Sequence, residues 1–199
     1  MQAWRVEVSV RPGLPDPAGV AAGSALREAG LEFQGAIQSR RGYLLGDELT
    51  REQVEAFARE VLVDPIQEES RIFAPADAAD TEPGRISVLP LPGVTDPVAR
   101  SVQKALVDSD LPEAPTGTYQ VYLAEGVAAA TLVAAAEESL ANQVIQRVVA
   151  ERVPQNMPGP GGEPDLTTHE IPLEGLDEDA LCKISTEGGL ALEIGRAHV

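Results

Sequence analysis

The sequence predicts an α+β protein in which one β-α-β(β)-α-β unit occurs twice, the two copies packing as a pseudo-dimer. Residues 10–17 read VRPGLPDP and residues 90–97 read PLPGVTDP. Four residues of the first stretch recur 80 positions later: Pro12, Gly13, Asp16 and Pro17. The pair Ala25-Leu26 recurs at the same offset. A fixed offset that extends beyond one motif indicates an internal duplication.

The first unit opens with a half-buried strand followed by a helix. Apolar residues at 4, 6, 8 and 10 alternate with polar ones at 5, 7, 9 and 11, which is the period of a strand with one solvated face. Asp16 followed by Pro17 predicts a helix start, because the carboxylate caps free amides and proline at the first helical position loses no needed donor. An apolar stripe follows, and Gly30 ends it. The Pro-Gly-x-x-Asp-Pro motif is therefore interpreted as a strand-to-helix turn.

Three more elements complete the first unit. A weaker strand over 37–45 is predicted to bend near Gly42. The next helix has a capping box from Thr50 and Gln53 and an apolar stripe that ends near 64–65. A short strand over 66–73 closes the unit.

The second unit repeats this order with divergence. Strands are predicted over 86–91, 119–123 and 144–149, and Pro90 places the first of them at a sheet edge or cuts it short, because proline lacks an amide donor. A unit of about 75 residues is marginal alone, so the two copies are expected to merge their sheets and cover each other's apolar faces. The predicted domains are a first unit over 1–75, a second unit over 84–153, a Pro/Gly linker over 154–170 and a helical segment over 171–192.

Composition excludes several partners. The chain of 199 residues has a formal net charge of −17, which disfavours nucleic acid and anionic membrane surfaces. One cysteine, Cys182, excludes an intrachain disulfide and suits a reducing compartment. The longest apolar run, 127–136, is about half of a membrane span, and no leader pattern opens the chain. The expected localisation is cytoplasmic.

The motifs carry a family resemblance. WRVEVSVRPGLPDPAGVAAGSALREAG at 4–30, EVLVDPI at 60–66 and SLANQVI at 139–145 resemble the small PurS subunit of bacterial phosphoribosylformylglycinamidine (FGAM) synthase. IPLEGLDEDALCKISTEGGLALE at 171–193 resembles the opening of the helical linker region of PurL, the ATP-dependent synthetase of that complex, in fused forms. Together these segments have the order of a truncated PurS-PurS-PurL chain.

The resemblance implies an assembly role in de novo purine (IMP) biosynthesis. In that family PurS dimers bridge the PurL synthetase and the PurQ glutaminase, so that ammonia from glutamine reaches the substrate that ATP activates. The chain would then be part of a ligase yet non-catalytic alone, with PurL and PurQ as partners and with two similar surfaces that allow a homo-oligomer. ATP and Mg would be bound by PurL residues downstream, so no catalytic, cofactor-binding or metal residue is assigned here.

Other site interpretations are weaker. The Pro-Gly turns lack a Walker or G-x-G-x-x-G pattern, so a plain turn is favoured over a phosphate cradle. His169, His198 and Cys182 have no neighbours at metal-ligand spacing, and the acidic run 174–179 is interpreted as helix-terminal charge. Tyr119 and Tyr122 are expected on opposite faces, at least one of them exposed or at an interface.

Two further expectations remain open. An ACT-like module that binds small molecules or proteins is the alternative function, because paired βαββαβ units of this size can bind amino acids between copies. The last seven residues, EIGRAHV at 193–199, can be encoded by a common sequencing-adapter sequence that runs into a stop codon. They are predicted to be a scar, with the natural chain continuing into PurL.

Overall fold

The computed structural model describes residues 2–77, 81–152 and 175–187. The whole predicted linker and the ends of the predicted helical segment lie outside these residues, as do the suspected scar, His169 and His198. The chain divides into two compact units, Met1–Gly162 and Glu163–Val199, which are described separately.

Six antiparallel strands form one sheet in the first unit. The strands are β1 (Ala3–Val10), β2 (Gln38–Gly46), β3 (Glu68–Phe73), β4 (Thr81–Pro90), β5 (Thr116–Leu123) and β6 (Gln146–Arg152). Their order is β3-β1-β2-β5-β4-β6, and every neighbouring pair is antiparallel. The order is the same when it is followed outward in either direction from the central β2–β5 pair. Each half of the sequence therefore supplies three adjacent strands of a mixed α+β fold.

In the described part of the first unit, four helices accompany the sheet. They are α1 (Pro17–Glu28), α2 (Arg51–Phe57), α3 (Pro97–Asp108) and α4 (Ala129–Ser139), and α2 continues as a π-helical turn over Ala58–Leu62. The second unit contributes α5 (Glu178–Glu187). Among the described residues, none of these helices has the length and apolar character that crossing a bilayer requires.

The structure decides two expectations, the number of strands in each half and the place of the strand that carries Pro90. The stretch predicted as one bent strand or two is a single strand, β2, so each half is β-α-β-α-β. The strand that carries Pro90 lies inside the sheet, between β5 and β6, and not at an edge. Pro90 is its last residue, and pairing with β5 already ends at Val88, so the missing amide interrupts no ladder there.

Both halves contribute to each helix-covered core. In one cluster, Val54 and Phe57 of α2 pack with Val102 and Leu106 of α3 over β1 and β2. In the other, α1 packs with α4 over residues that include Ile86 of β4. Each of these two clusters therefore contains residues from both halves of the sequence.

A third cluster lies on the opposite face of the sheet. Its buried members are all strand residues: Ala3, Leu44, Leu89, Tyr119, Val121 and Leu123. Since side chains alternate along a strand, this face also carries Arg5, Glu7 and Arg85. We call it the second face.

Candidate functional site

The aspartate of each Pro-Gly-x-x-Asp-Pro turn connects the start of a helix to the following strand. Asp16 accepts hydrogen bonds from the amide of Gly19 at 2.8 Å and from the amide of Ser39 at 2.6 Å, so one carboxylate caps α1 and holds β2. Asp96 makes the same connection in the second half, to the amides of Ala99 at 2.9 Å and Thr118 at 3.0 Å. The motif thus joins a helix start to the next strand, as the plain-turn interpretation requires.

The turns after α2 and α4 are also equivalent. Asp64 and Asn142 each accept a hydrogen bond from the amide two residues later, at 2.8 and 3.1 Å. The backbone amides of Asp64 and Asn142 in turn donate to side-chain oxygens, those of Glu68 at 3.0 Å and Gln146 at 2.9 Å. The sequence pair Leu-Val-Asp and Leu-Ala-Asn therefore marks one turn geometry used twice.

A cluster of charged side chains on the second face links the two halves. Glu7 of β1 accepts hydrogen bonds from Arg85 of β4 at 2.6 Å, from Arg40 of β2 at 3.2 Å and from the Tyr119 hydroxyl of β5 at 3.1 Å. Glu82 accepts from Arg40 at 2.9 Å and from Arg85 at 3.1 Å. The charged cluster is Glu7, Arg40, Glu82, Arg85 and the Tyr119 hydroxyl, and it spans four adjacent strands.

Burial and charge set the titration of this charged cluster. Burial alone would raise the pKa of Glu82, but hydrogen bonds and charge from Arg40 and Arg85 outweigh it and hold that pKa below its ordinary value. Burial would lower the pKa of Arg85, yet Glu7 raises it. Burial and then the Glu7 charge raise the pKa of Tyr119 well above its ordinary value. At neutral pH the phenol therefore stays protonated and donates to Glu7.

The polar side of β1 was predicted to be solvated, and that prediction is wrong for two residues. Arg5 and Glu7 are each 1% exposed. They are buried because neighbouring strands place charged and aromatic partners beside them, namely Arg85 and Tyr119 for Glu7 and Phe73 for Arg5. No local pattern in the sequence marks these partners. The one available signal was the pair of opposite charges two residues apart on the same strand face.

The two tyrosines lie on opposite faces, as β alternation requires, but neither is exposed. The Tyr119 ring packs over Gly42, where an added Cβ would lie 2.2 Å from the ring. Tyr122 is partly buried against the cluster formed by α1 and α4. Neither tyrosine is exposed, and Tyr119 instead lies where β2 and β5 of the two halves meet, which explains Gly42 by a close contact.

The remaining site residues lie in the second unit or outside the described residues. Cys182 is exposed on α5, and Asp177 of the acidic run caps that helix by accepting from the amide of Ala180 at 2.9 Å. Within the described ranges, no group of three His, Cys, Asp or Glu side chains is placed to hold a metal ion. That the chain carries no catalytic or cofactor-binding residue stays a prediction.

One cavity lies between residues of the two halves. It has a volume of about 320 Å³. Its lining combines Gly35 and Arg40 of the first half with Glu82 and Leu123 of the second. The Arg40–Glu82 ion pair therefore belongs both to this cavity and to the charged cluster.

Comparison of the chain with family models, with curated protein sequences and with solved structures gives no match.

Proposed function

We propose that this chain is the assembly region of an FGAM synthase, in which two PurS-like units form a pseudo-dimer fused to the start of PurL. In this role it bridges the ATP-dependent synthetase and the PurQ-like glutaminase in the cytoplasm during purine biosynthesis. The chain has no synthetase activity by itself, since ATP and Mg bind to the PurL portion. The proposal rests on the motif resemblance together with the repeated architecture.

The arrangement of the strands supports the proposal in addition to the motifs. The strand order is identical when followed outward from the β2–β5 pair, and Asp16 and Asp96 make equivalent bonds on either side of it. Two copies of a small subunit that dimerise by pairing their second strands would have this order. Fusing them into one chain keeps the arrangement and removes the entropy loss of bringing two molecules together.

A mechanical role also fits the charge of the chain. A net charge of −17 opposes direct capture of a phosphorylated substrate. Equivalent turns instead present equivalent surfaces: Ile66 is 80% exposed and Val144 is 82% exposed at corresponding places in the two halves. Each is held by the side-chain bonds of its own turn, so a partner would meet a preorganised contact.

The test is the ratio of glutamine-dependent to ammonia-dependent activity in the full-length fused enzyme. Deleting residues 1–153 is expected to lower the glutamine-dependent rate strongly and the ammonia-dependent rate little. Ile66→Glu and Val144→Glu test the exposed surfaces of the two turns without disturbing buried residues. Val61→Glu, in the π-helical turn that continues α2, is the control for placing a charge at an exposed apolar position. Equal loss of both rates on deletion would indicate a general stabilising role, and no loss of either would exclude the scaffold.

The cavity between the halves favours a second candidate, an ACT-like sensor of small molecules. Against it, the described residues of each half form three strands, whereas a βαββαβ unit has four. A screen of the twenty amino acids by thermal shift tests this candidate. A saturable shift that Glu82→Gln abolishes would favour the sensor over the scaffold.

A further inference from the structure

The strand β3 forms one edge of the six-stranded sheet. Its neighbour on one side is β1, and no strand of the described residues lies on its other side. The pairing with β1 runs from Glu68 to Phe73 without a register shift, and β3 contains no proline. The three central residues, Glu69, Ser70 and Arg71, are exposed. A regular, exposed edge strand is a template for pairing with another strand.

One backbone hydrogen bond shows which groups of β3 are turned away from β1. The amide of Arg11 donates to the carbonyl of Gln67 at 2.9 Å, and this bond continues the β1–β3 register by one step beyond the strands. Hydrogen-bonded and non-hydrogen-bonded pairs alternate along an antiparallel ladder. The amides and carbonyls of Ser70 and Ile72 therefore point to the free edge.

The edge also carries two charges without partners. Among the described residues, no oppositely charged group lies within ion-pair distance of Glu69 or Arg71. Both side chains lie on the second face and flank Ser70, one on each side. Since Glu68 is held in a salt bridge within the chain, the free charges of this edge cancel, although the whole chain has a net charge of −17.

We propose that a second copy of this chain pairs with the free edge of β3, antiparallel and with Ser70 opposite Ser70 of the partner subunit. The two serines then exchange two backbone hydrogen bonds across a two-fold axis. Glu69 lies opposite Arg71 of the partner subunit, and the symmetry repeats this pair. These are non-hydrogen-bonded positions, where side chains of an antiparallel pair approach most closely.

The charges favour this register over its neighbours. Moving the two-fold axis by one residue along β3 still lets the edge groups pair, but it places Glu69 opposite Glu69 or Arg71 opposite Arg71. Like charges directly opposite each other are destabilising. Because the match is between the strand and its own sequence, the partner is a second copy. The pairing does not depend on the proposed assembly role, since β3 alone defines it.

The experiment is sedimentation velocity of the full chain over a dilution series. We expect a reversible monomer–dimer equilibrium, in which the Ser70 amide exchanges its hydrogen more slowly as the dimer fraction rises. Arg71→Glu turns both pairs of opposite charges into like-charge pairs and should raise the dissociation constant at least about tenfold. Glu69→Arg should do the same, and the double variant, which exchanges the two signs, should restore the dimer.

Two further variants separate the backbone from the charges. Ser70→Pro removes the amide at the two-fold axis but no amide that the ladder with β1 uses, so it should abolish the dimer while circular dichroism still shows the native fold. Arg147→Glu is the matched control, because Arg147 is an exposed arginine at the corresponding place in the other edge strand, β6. It should leave the dissociation constant unchanged.

Several results would overturn the proposal. A chain that stays monomeric throughout the dilution series would do so, as would a dimer that Ser70→Pro and Arg71→Glu leave intact. A double variant that does not recover the dimer would remove the charge pairs, and dissociation by Arg147→Glu would place the interface at β6 instead. If Ser70→Pro does not fold, Arg71→Glu and the double variant decide the outcome.

Discussion

Replacing Glu7 by glutamine should destabilise the fold more than any single surface change. The Glu7 side chain is fully buried, and the Arg85 side chain that binds it at 2.6 Å is 1% exposed. Glutamine keeps the shape but removes the negative charge, and its amide hydrogens would face two guanidinium groups. After the change, Arg85 keeps its bond to Glu82 but loses the charged partner Glu7. The bond to Glu7 joins β4 of the second half to β1 of the first half.

The size of the effect follows from the cost of an unpaired buried charge. Removing one partner of a buried ion pair costs about 3–5 kcal/mol. Since Glu82 still binds Arg85 at 3.1 Å, we expect the lower end, about 3 kcal/mol. For a chain of this size that corresponds to a fall in Tm of about 6–12 °C.

The assay is urea unfolding followed by circular dichroism, together with the thermal midpoint. The control is Glu55→Gln, which breaks an i,i+4 pair with Arg51 whose side chains are 55% and 48% exposed, and should change the unfolding free energy by at most about 0.5 kcal/mol. If Glu7→Gln fails to fold, the double variant Glu7→Met with Arg85→Met should recover folding, because an apolar pair leaves no unmatched charge. A loss no larger than that of the control would refute the reasoning.

Three further outcomes can be measured in the same way. Asp16→Ala and Asp96→Ala should each cost about 1–2 kcal/mol, since each removes a helix cap and a tie to the next strand; a loss in only one half would contradict the equivalence of the turns. Gly42→Ala should cost about 1–3 kcal/mol because its Cβ would meet the Tyr119 ring, and an unchanged unfolding midpoint would rule out that contact. The lowered pKa of Glu82 means that its stabilising contribution is full above the pKa of an unfolded glutamate and is lost as pH falls through the folded pKa. The stability difference between the native chain and Glu82→Gln should therefore shrink on acidification, and a difference that does not change from about pH 7 to about pH 3 would contradict it.

Local features of the sequence were sufficient for the repeat and for most element positions. Helix starts at Asp16 and Asp96 follow from the side chain and the proline beside it, and the capping box at Thr50 is present as predicted. These signals need only residues three or four apart, because capping bonds and helix periodicity are short-range. The duplication likewise required nothing beyond an offset within the chain.

Contacts between the halves were decided by the tertiary structure alone. The order of the six strands depends on β2 pairing with β5, and nothing within either strand specifies that partner. Arg5 and Glu7 have the pattern of solvated residues in sequence and become buried because residues up to 112 positions away surround them. Periodicity reports which residues share a face of a strand, but only the packing of distant segments determines whether that face meets water. The sequence by itself therefore determined a repeated order of elements, and the pairing of β2 with β5 determined the shared sheet and its buried charges.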